Sequence, residues 1–182
     1  VLFRGNFDAT IINSLSTVNQ TVVLVNVNDD KFKTKLVVTS LYIPCKTLPN
    51  TEDIEKVADY VHQHGFEWAL GSDTNSHSTL WGYDVSDRRA EAVENFLIPS
   101  GLEVLPINGP TWRSDDGLRS STIDIIAVTP GLVPSEYGKR PFPLSDHCLL
   151  YCCLDLIIPK TFYRNLQKAN WDKFRNLFIQ LK

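Results

Sequence analysis

Three polar clusters lie at or within apolar, strand-like segments of the 182-residue chain. Asp73 and Asn75 follow one such segment, Asp146 and His147 precede another, and Asp124 lies inside the apolar stretch STIDIIA. A carboxylate or an imidazole can transfer protons, and an amide can donate a hydrogen bond to a phosphate oxygen. A carboxylate can also bind a hard cation. A scaffold of strands can direct such side chains into one cleft, so the pattern indicates acid–base chemistry on a phosphate.

The three clusters are weak signals when each is taken alone. An Asp-x-Asn pair occurs in many loops, and Ser-Asp-His is a common turn sequence. Asp73 and Asn75 point the same way only if the strand continues through them. Asp124 is more informative, because a carboxylate in an apolar strand must be paired or hydrogen-bonded, and an imidazole N–H is its natural partner.

Hydrophobic periodicity predicts the elements that position these residues. β-branched runs joined across Asn28-Asp29-Asp30 predict an antiparallel hairpin, and two stretches with apolar residues at helical spacing predict helices. The predicted strands are Thr21–Val27, Lys35–Tyr42, Phe66–Leu70, Leu102–Leu105, Thr122–Val128 and Cys148–Ile157. The predicted helices are Thr51–His64 and a second one that begins at an N-cap Ser86 and ends before Pro99. This order predicts an α+β or layered α/β sandwich of mainly antiparallel sheets flanked by helices.

Length and composition favour one soluble, intracellular globular domain. The formal net charge is −3, which argues against a general nucleic-acid coat protein. Residues 157–182 carry six Lys or Arg and one acid, a net +5, and residues 1–156 carry twelve basic and twenty acidic residues, a net −8. The basic end has apolar residues at helical spacing, so it is either a helix whose apolar face packs against something beyond Lys182 or a terminal helix on the domain's own surface.

The chain has four cysteines, and three of them fall in the segment CLLYCC. No CxxC spacing supports a zinc or redox site. We therefore predict buried free thiols.

Five segments in their order along the chain resemble the endonuclease/exonuclease/phosphatase family. They are SLYIP (Ser40 to Pro44), GSDTNSHSTLWG (Gly71 to Gly82), PTW (Pro110 to Trp112), SSTID (Ser120 to Asp124) and SDH (Ser145 to His147). Within that family the chain is most similar to the apurinic-endonuclease-like domain of non-LTR (LINE-type) retrotransposon polyproteins. The pattern Asp-x-Asn-x-His-x-x-x-Trp-Gly and the following DRRAEAVENFL segment are characteristic of that branch.

The resemblance implies a role for each matching residue. It assigns phosphate contact to Tyr42, proton transfer with the attacking water or leaving oxygen to Asp73, and binding of phosphate and nucleophile to Asn75. It assigns stabilisation of the pentacovalent phosphate to His147 and orientation of that histidine to Asp124. Asp146 matches a secondary metal ligand, and Thr111 and Ser121 match supporting substrate-binding positions near the cleft.

The resemblance also implies an activity and its partners. The implied activity is that of a Mg²⁺- or Mn²⁺-dependent endonuclease that nicks double-stranded DNA for retrotransposon insertion. Residues 1–156 would form the nuclease domain. Residues 157–182 would lead to a reverse transcriptase in the same polyprotein, and the protein would act in the nucleus.

One departure from the family pattern lies near the start of the sequence. The family has an Asn and a Glu, its principal metal ligand, upstream of the tyrosine. Asp8, Asp29 and Asp30 are the acids before Tyr42, and none follows a strand in the expected context. We therefore expect an N-terminally incomplete nuclease domain that lacks its first strands and is weakly active or inactive as it stands. The alternatives are a phosphomonoesterase or phospholipase of the same fold, and a degenerate, non-catalytic DNA-binding module.

Other polar residues have two interpretations each. His77 and Trp81 either touch DNA or anchor their own loop, and loop anchoring is favoured. Arg88, Arg113 and Arg119 either meet phosphates or are simply solvated.

Overall fold

The computed structural model describes residues 8–27 and 35–154. The helices are α1 (Glu52–His64) and α2 (Arg88–Leu97), with short 3-10 turns at Asn13–Leu15 and Thr79–Trp81. The strands are β1 (Ala9–Ile11), β2 (Gln20–Asn26), β3 (Lys35–Tyr42), β4 (Glu67–Asp73), β5 (Glu103–Val104), β6 (Trp112–Arg113), β7 (Ser120–Ser121), β8 (Asp124–Val128), β9 (Glu136–Arg140) and β10 (Leu149–Cys153).

A six-stranded sheet in the order β1-β2-β3-β4-β8-β5 forms the centre of the fold. The predicted hairpin is confirmed, because β2 and β3 pair antiparallel, although the turn between them lies outside the described residues. β3 and β4 pair in parallel through the connection that contains α1. The pairs β6–β7 and β9–β10 are separate two-stranded antiparallel sheets.

Both faces of the central sheet are buried, because successive side chains of a strand point to opposite faces. On β2, Val22 packs in the cluster that contains the buried residues of α1 and α2. Its neighbour Val23 packs in a second cluster, against which Leu150 and Cys152 of β10 also pack. The helices therefore cover one face and the β9–β10 sheet lies towards the other, which confirms the predicted layered α/β class.

The two helices form where the apolar spacing predicts them. The residues of α1 that share one face, Ile54, Val57, Ala58 and Val61, are all buried, and Gly65 ends the helix in the left-handed conformation. The predicted N-cap of α2 is wrong by one residue. Asp87, rather than Ser86, caps it, because its carboxylate accepts hydrogen bonds from the backbone N–H groups of Arg89 and Ala90.

Several strand boundaries differ from the prediction. β4 extends to Asp73, so this acid ends a strand instead of following it in a loop. β8 begins at Asp124, which is therefore at the end of the strand and not in its interior. β1, β6, β7 and β9 were not predicted, because two of them are two residues long and the sequence of β9 is polar. The predicted C-terminal helix lies outside the described residues.

All four cysteines are free thiols, as predicted, but the expectation that they are buried is wrong. Cys45 and Cys153 are exposed, and Cys148 and Cys152 are only partly buried. Among residues 8–27 and 35–154, no helix has the length and apolar character needed to cross a membrane.

Candidate active site

Three predicted site residues form a row across neighbouring strands of the central sheet. Tyr42 ends β3 and is in register with Asp73 at the end of the parallel strand β4. Asp73 is also in register with Asp124, the first residue of the antiparallel strand β8. Register partners on neighbouring strands lie on the same face of the sheet, so the three residues share one face, and ligand atoms of Asp73 and Asp124 lie within 4.8 Å of one another.

His147 joins this row through Asp124. Its Nδ1 lies 3.0 Å and 2.9 Å from the two carboxylate oxygens of Asp124. A β-bridge between Trp112 and His147 fixes the backbone of the histidine beside β6. The side chains are 30% and 13% exposed, so the imidazole faces solvent while its partner carboxylate is largely covered. The expected pairing of Asp124 with an imidazole is confirmed.

Asp73 is in an environment that favours its protonated form. Burial, and next the charge of Asp124, raise the pKa of the Asp73 carboxyl above its ordinary value. The backbone N–H of Asn75 donates to its Oδ1 at 3.1 Å and partly opposes that rise. A carboxyl group with a raised pKa is suited to transferring protons closer to neutral pH.

Asn75 reaches the site through a turn and not through a continued strand. Among residues 8–27 and 35–154, Asn75 is the only non-glycine residue with a positive φ, and this angle is 46°. Its Nδ2 donates to the carbonyl of Ile43 at 3.0 Å. This bond holds the amide next to the end of β3 and leaves its second N–H and its oxygen for other partners.

Thr111 stabilises the backbone of the segments that carry Asp124 and His147. It is fully buried, and its hydroxyl oxygen accepts hydrogen bonds from the backbone N–H groups of Ile123 at 3.1 Å and Asp124 at 3.0 Å. Its carbonyl accepts from the N–H of Cys148 at 2.7 Å, one residue after His147. Thr111 therefore links the two segments that carry the Asp124–His147 pair. Ser121 is also buried, and contact of either residue with substrate stays a prediction.

Asp146 lies beside this group but makes a different contact. Its Oδ2 accepts a hydrogen bond from the indole Nε1 of Trp112 at 2.7 Å. This bond keeps the pKa of the Asp146 carboxyl below its ordinary value. Its role as a metal ligand stays a prediction.

The donor groups suited to a metal ion come from three residues. Ligand atoms of Asp73, Asp124 and His147 all lie within 4.8 Å of one another. Carboxylate oxygens suit hard divalent cations such as Mg²⁺ and Mn²⁺. The two carboxylates therefore fit such an ion.

The loop after Asn75 is anchored to the start of α2. The backbone N–H of His77 donates to the Asp87 carboxylate at 3.0 Å, and the His77 ring Nδ1 lies 2.9 Å from the same oxygen. Trp81 is 4% exposed and packs in the core. Ser78 donates a hydrogen bond to Glu94 of α2. These contacts confirm the interpretation of His77 and Trp81 as loop anchors.

Sequence reasoning missed Arg89. Its guanidinium donates to backbone carbonyls of Asn75 and of the segment that follows β3. The neighbouring Arg88 was considered instead, and it is exposed. An arginine two residues after an N-cap carries no signal of such contacts, because they depend on the spatial neighbours of α2.

An open groove of about 840 Å³ lies beside the site. Its lining includes Arg113, Lys139, Phe142 and His147. Lys139 donates to the carbonyl of Pro110 at 2.7 Å, and burial lowers the pKa of its ammonium group. Arg119 lies over the Trp112 ring at 6.0 Å instead of being purely solvated. The groove beside His147 therefore presents two basic groups, two acids (Asp115 and Asp146) and apolar groups together.

Comparison with known structures identifies the fold. The endonuclease domain of TRAS1, a telomere-specific non-LTR retrotransposon, superposes with a TM-score of 0.69 at 21% identity, over 85% of this chain and 72% of that domain. A humanized TDP2 from D. rerio has a TM-score of 0.51 at 15% identity, over 82% of this chain and 67% of that one. An endonuclease/exonuclease/phosphatase family protein from Leptotrichia buccalis also gives 0.51 at 15% identity, over 82% of this chain and 60% of that one.

Sequence comparison assigns the family. No curated protein matches the chain. A family model described as "Endonuclease-reverse transcriptase" matches residues 36–151, which include the row of site residues and the histidine beside it. The chain therefore belongs to the endonuclease-reverse transcriptase family and has the endonuclease/exonuclease/phosphatase fold, the fold of nucleases and phosphodiesterases.

Proposed function

We propose that this chain is a divalent-metal-dependent DNA endonuclease that hydrolyses one phosphodiester bond of target DNA during retrotransposon insertion. The observation that carries the proposal is the Asp124–His147 pair beside Asp73, an acid with a raised pKa. A retrotransposon endonuclease of the same fold supports the choice of substrate.

The residues of the row have distinct tasks in the proposed reaction. The Asp73 carboxylate accepts a proton from the attacking water, a new P–O bond forms, and the P–O bond to the leaving sugar oxygen breaks. The leaving oxygen keeps the electron pair of that bond and takes a proton from solvent water, so that it departs as a hydroxyl group. Negative charge grows on the nonbridging oxygens during this step. The imidazole of His147, the hydroxyl of Tyr42 and the amide of Asn75 donate hydrogen bonds to those oxygens.

A divalent cation completes the proposed site. Asp73 and Asp124 would hold Mg²⁺ or Mn²⁺, with water filling the remaining positions, and Asp146 is a further proposed ligand. Such an ion would supply positive charge to the developing negative charge on the phosphate. The imidazole of His147 stays with its carboxylate partner, because that hydrogen bond orients the ring.

The proposal also includes two partners, a reverse transcriptase in the same polyprotein and double-stranded DNA. Residues 1–156 form the nuclease domain, and residues 157–182 lead to a reverse transcriptase in the same polyprotein, which acts in the nucleus. The groove beside His147, where Arg113 and Lys139 lie, is where the double-stranded DNA would extend from the scissile phosphate.

A plasmid-nicking assay tests the proposed activity. The chain, expressed with any coding sequence that precedes Val1 in its gene, is incubated with supercoiled DNA and Mg²⁺. We expect Asp73→Ala and His147→Ala each to reduce the nicking rate at least about 100-fold. Asp59→Ala removes an exposed acid of α1 and should nick at the wild-type rate.

The outcomes separate the proposal from its alternatives. Unchanged nicking by the Asp73 and His147 variants would show that neither residue takes part in catalysis. Hydrolysis of a phosphomonoester without nicking would favour a phosphatase. DNA binding with no Mg²⁺ binding by calorimetry would favour a degenerate, non-catalytic module. Nicking by residues 1–182 alone at the rate of the extended chain would contradict the expectation that the upstream glutamate is needed.

A further inference from the structure

Arg89, the second residue of α2, connects three separate segments through one side chain. Its Nε donates to the carbonyl of Asn75 at 2.8 Å. The terminal nitrogens donate to the carbonyls of Pro44 at 2.9 Å, Cys45 at 3.3 Å and Thr47. These carbonyls belong to the segment directly after β3, the strand that ends at Tyr42. One guanidinium thus ties the start of α2 to the segments that follow β3 and β4, the strands that end at Tyr42 and Asp73.

The Asn75 contact matters because the backbone of this residue is strained. A φ of 46° costs an asparagine less than a bulky residue, but it persists only where surrounding contacts define it. Three contacts do so here. The backbone N–H of Asn75 donates to the Asp73 carboxylate. The side chain of Asn75 donates to Ile43, and its carbonyl accepts from Arg89. The Arg89 contact differs from the others because it comes from another element, α2, and the same guanidinium also reaches the segment after β3.

The geometry of the guanidinium leaves little capacity for a direct phosphate contact. An arginine side chain has five N–H donors. Four of them face the carbonyls of Asn75, Pro44, Cys45 and Thr47. The side chain is also partly buried, whereas that of Arg88 is exposed. These contacts assign Arg89 to the protein scaffold and not to the DNA surface.

We propose that Arg89 is a positioning residue for the phosphodiester hydrolysis: its fork of hydrogen bonds fixes Asn75 and the segment after Tyr42 relative to each other. This inference rests on the proposed function. A displacement of about 1 Å in a catalytic group can lower a rate about 100-fold, and both Asn75 and Tyr42 flank Asp73. Lysine keeps the charge but lacks the planar fork, so it cannot donate in the same way to both Asn75 and the segment after β3.

Steady-state nicking kinetics on the upstream-extended chain test the catalytic part of the proposal. We expect Arg89→Ala to lower kcat about 100-fold and Arg89→Lys at least about tenfold, with KM for plasmid DNA within about twofold of wild type. Arg88→Ala should keep wild-type kcat and KM. In an Asn75→Ala background, Arg89→Ala should cause a much smaller further loss, because the two residues act as a unit. A raised KM with unchanged kcat would overturn the proposal and assign Arg89 to DNA binding.

Hydrogen exchange measured by mass spectrometry gives a readout that does not depend on activity. Arg89→Ala and Arg89→Lys should exchange faster than Arg88→Ala in peptides covering residues 43–50 and 74–80. Unchanged exchange in both Arg89 variants would overturn the proposal even if nicking falls. Absence of nicking by the wild-type chain would refute the proposed function, and the exchange data would still decide whether Arg89 orders these segments. If Arg89→Ala does not fold, Arg89→Lys decides both measurements.

Discussion

The Asp124 carboxylate lies at the end of a strand whose other four residues are all buried. A charge in such a position requires a partner, and the imidazole of His147 supplies it. The hydrogen bond to Nδ1 fixes the ring, so that Nε2 points away from Asp124. At the scale of single residues, the site therefore consists of one acid with a raised pKa and one oriented imidazole.

Replacing Asp124 by Asn tests the importance of the charge behind the imidazole. The amide oxygen has nearly the same shape and can still accept from Nδ1, but it no longer stabilises a positively charged ring. We expect the nicking kcat to fall at least about tenfold while the folded structure is retained. Kinetics at saturating DNA, with circular dichroism for the fold, give the answer.

The double variant provides the control for this prediction. If Asp124 acts through His147, adding Asp124→Asn to His147→Ala should lower the rate little further. Full additivity of the two losses would show that Asp124 acts mainly as the proposed ligand of the metal ion and not through the ring.

Residue types revealed part of this site in advance. Asp124 could be assigned to an imidazole partner because an unpaired charge in an apolar strand is costly. The conformation of Asn75 could not be predicted, since its positive φ depends on contacts with Ile43 and Arg89, which are distant in sequence. Arg89 was missed for the same reason.

At the scale of elements, α2 fixes the loop that leads out of the site. Asp87 caps the helix and also accepts from the backbone N–H of His77, so one carboxylate serves both elements. Burial alone would raise the pKa of Asp87. Hydrogen bonds from the N–H of Ala90, from His77 and from the N–H of Arg89 outweigh that effect and lower the pKa below the ordinary value of 3.8.

Replacing Asp87 by Ala should destabilise the chain in a pH-dependent way. Because the folded pKa is depressed, the stabilisation is present above the unfolded value of 3.8 and is lost as the pH falls through the folded pKa. We expect a loss of about 1–2 kcal/mol in the free energy of unfolding at pH 7. The loss should shrink below pH 3.8. Urea unfolding at pH 7 and pH 3 measures both values.

Asp84→Ala is the matched control, because Asp84 is an exposed acid three positions before the cap. It should leave the free energy of unfolding within about 0.5 kcal/mol of wild type at both pH values. An equal loss for Asp87→Ala at pH 7 and pH 3 would mean that the ionised form makes no special contribution.

The junction of β6 and β8 depends on the hydroxyl group of Thr111. Thr111→Val keeps the shape of the side chain but removes the acceptor for two backbone N–H groups, at Ile123 and Asp124. We expect the free energy of unfolding to fall by about 2 kcal/mol, since buried donors are left unsatisfied. Thr10→Val, on the exposed strand β1, should be nearly neutral. A neutral Thr111→Val would show that water replaces the lost acceptor.

Long periodic elements could be predicted from the sequence, and short ones could not. α1 was predicted because four apolar residues share a face, and the hairpin of β2 and β3 because both strands are rich in β-branched residues. β6 and β7 have two residues each, too few for any period to show. Three of the five residues of β9 (EYGKR) are charged and they lie on both faces of the strand, so no apolar alternation shows, and its pairing with β10 defines it instead.

At the scale of the whole molecule, charge is divided along the chain. Residues 1–156 are acidic overall, whereas residues 157–182 are basic. An acidic body suits a carboxylate-rich metal site but repels the phosphates of its proposed substrate. The proposed nuclease therefore needs positive charge elsewhere to bind DNA, and the sequence supplies the highest density of it after residue 156.

Stepwise neutralisation of the basic segment tests whether it binds DNA. Lys160→Gln, Lys168→Gln and Lys173→Gln are combined one at a time, and the dissociation constant for duplex DNA is measured by fluorescence anisotropy at several salt concentrations. Each lysine that contacts a phosphate contributes about 0.9 to the slope of log affinity against log salt. We expect the slope to decrease at each step, while kcat at saturating DNA stays unchanged because the catalytic residues lie before residue 156.

Lys56→Gln serves as the control for losing one positive charge elsewhere. Lys56 is an exposed residue of α1 that pairs with Asp53, so its loss should leave the slope unchanged. A slope that the three substitutions leave unaltered would instead favour a terminal helix that packs on its own domain. Phosphate contacts position the protein on DNA, so their loss should appear in the slope. A smaller kcat with an unaltered slope would therefore mean that the segment stabilises the folded nuclease and does not bind DNA.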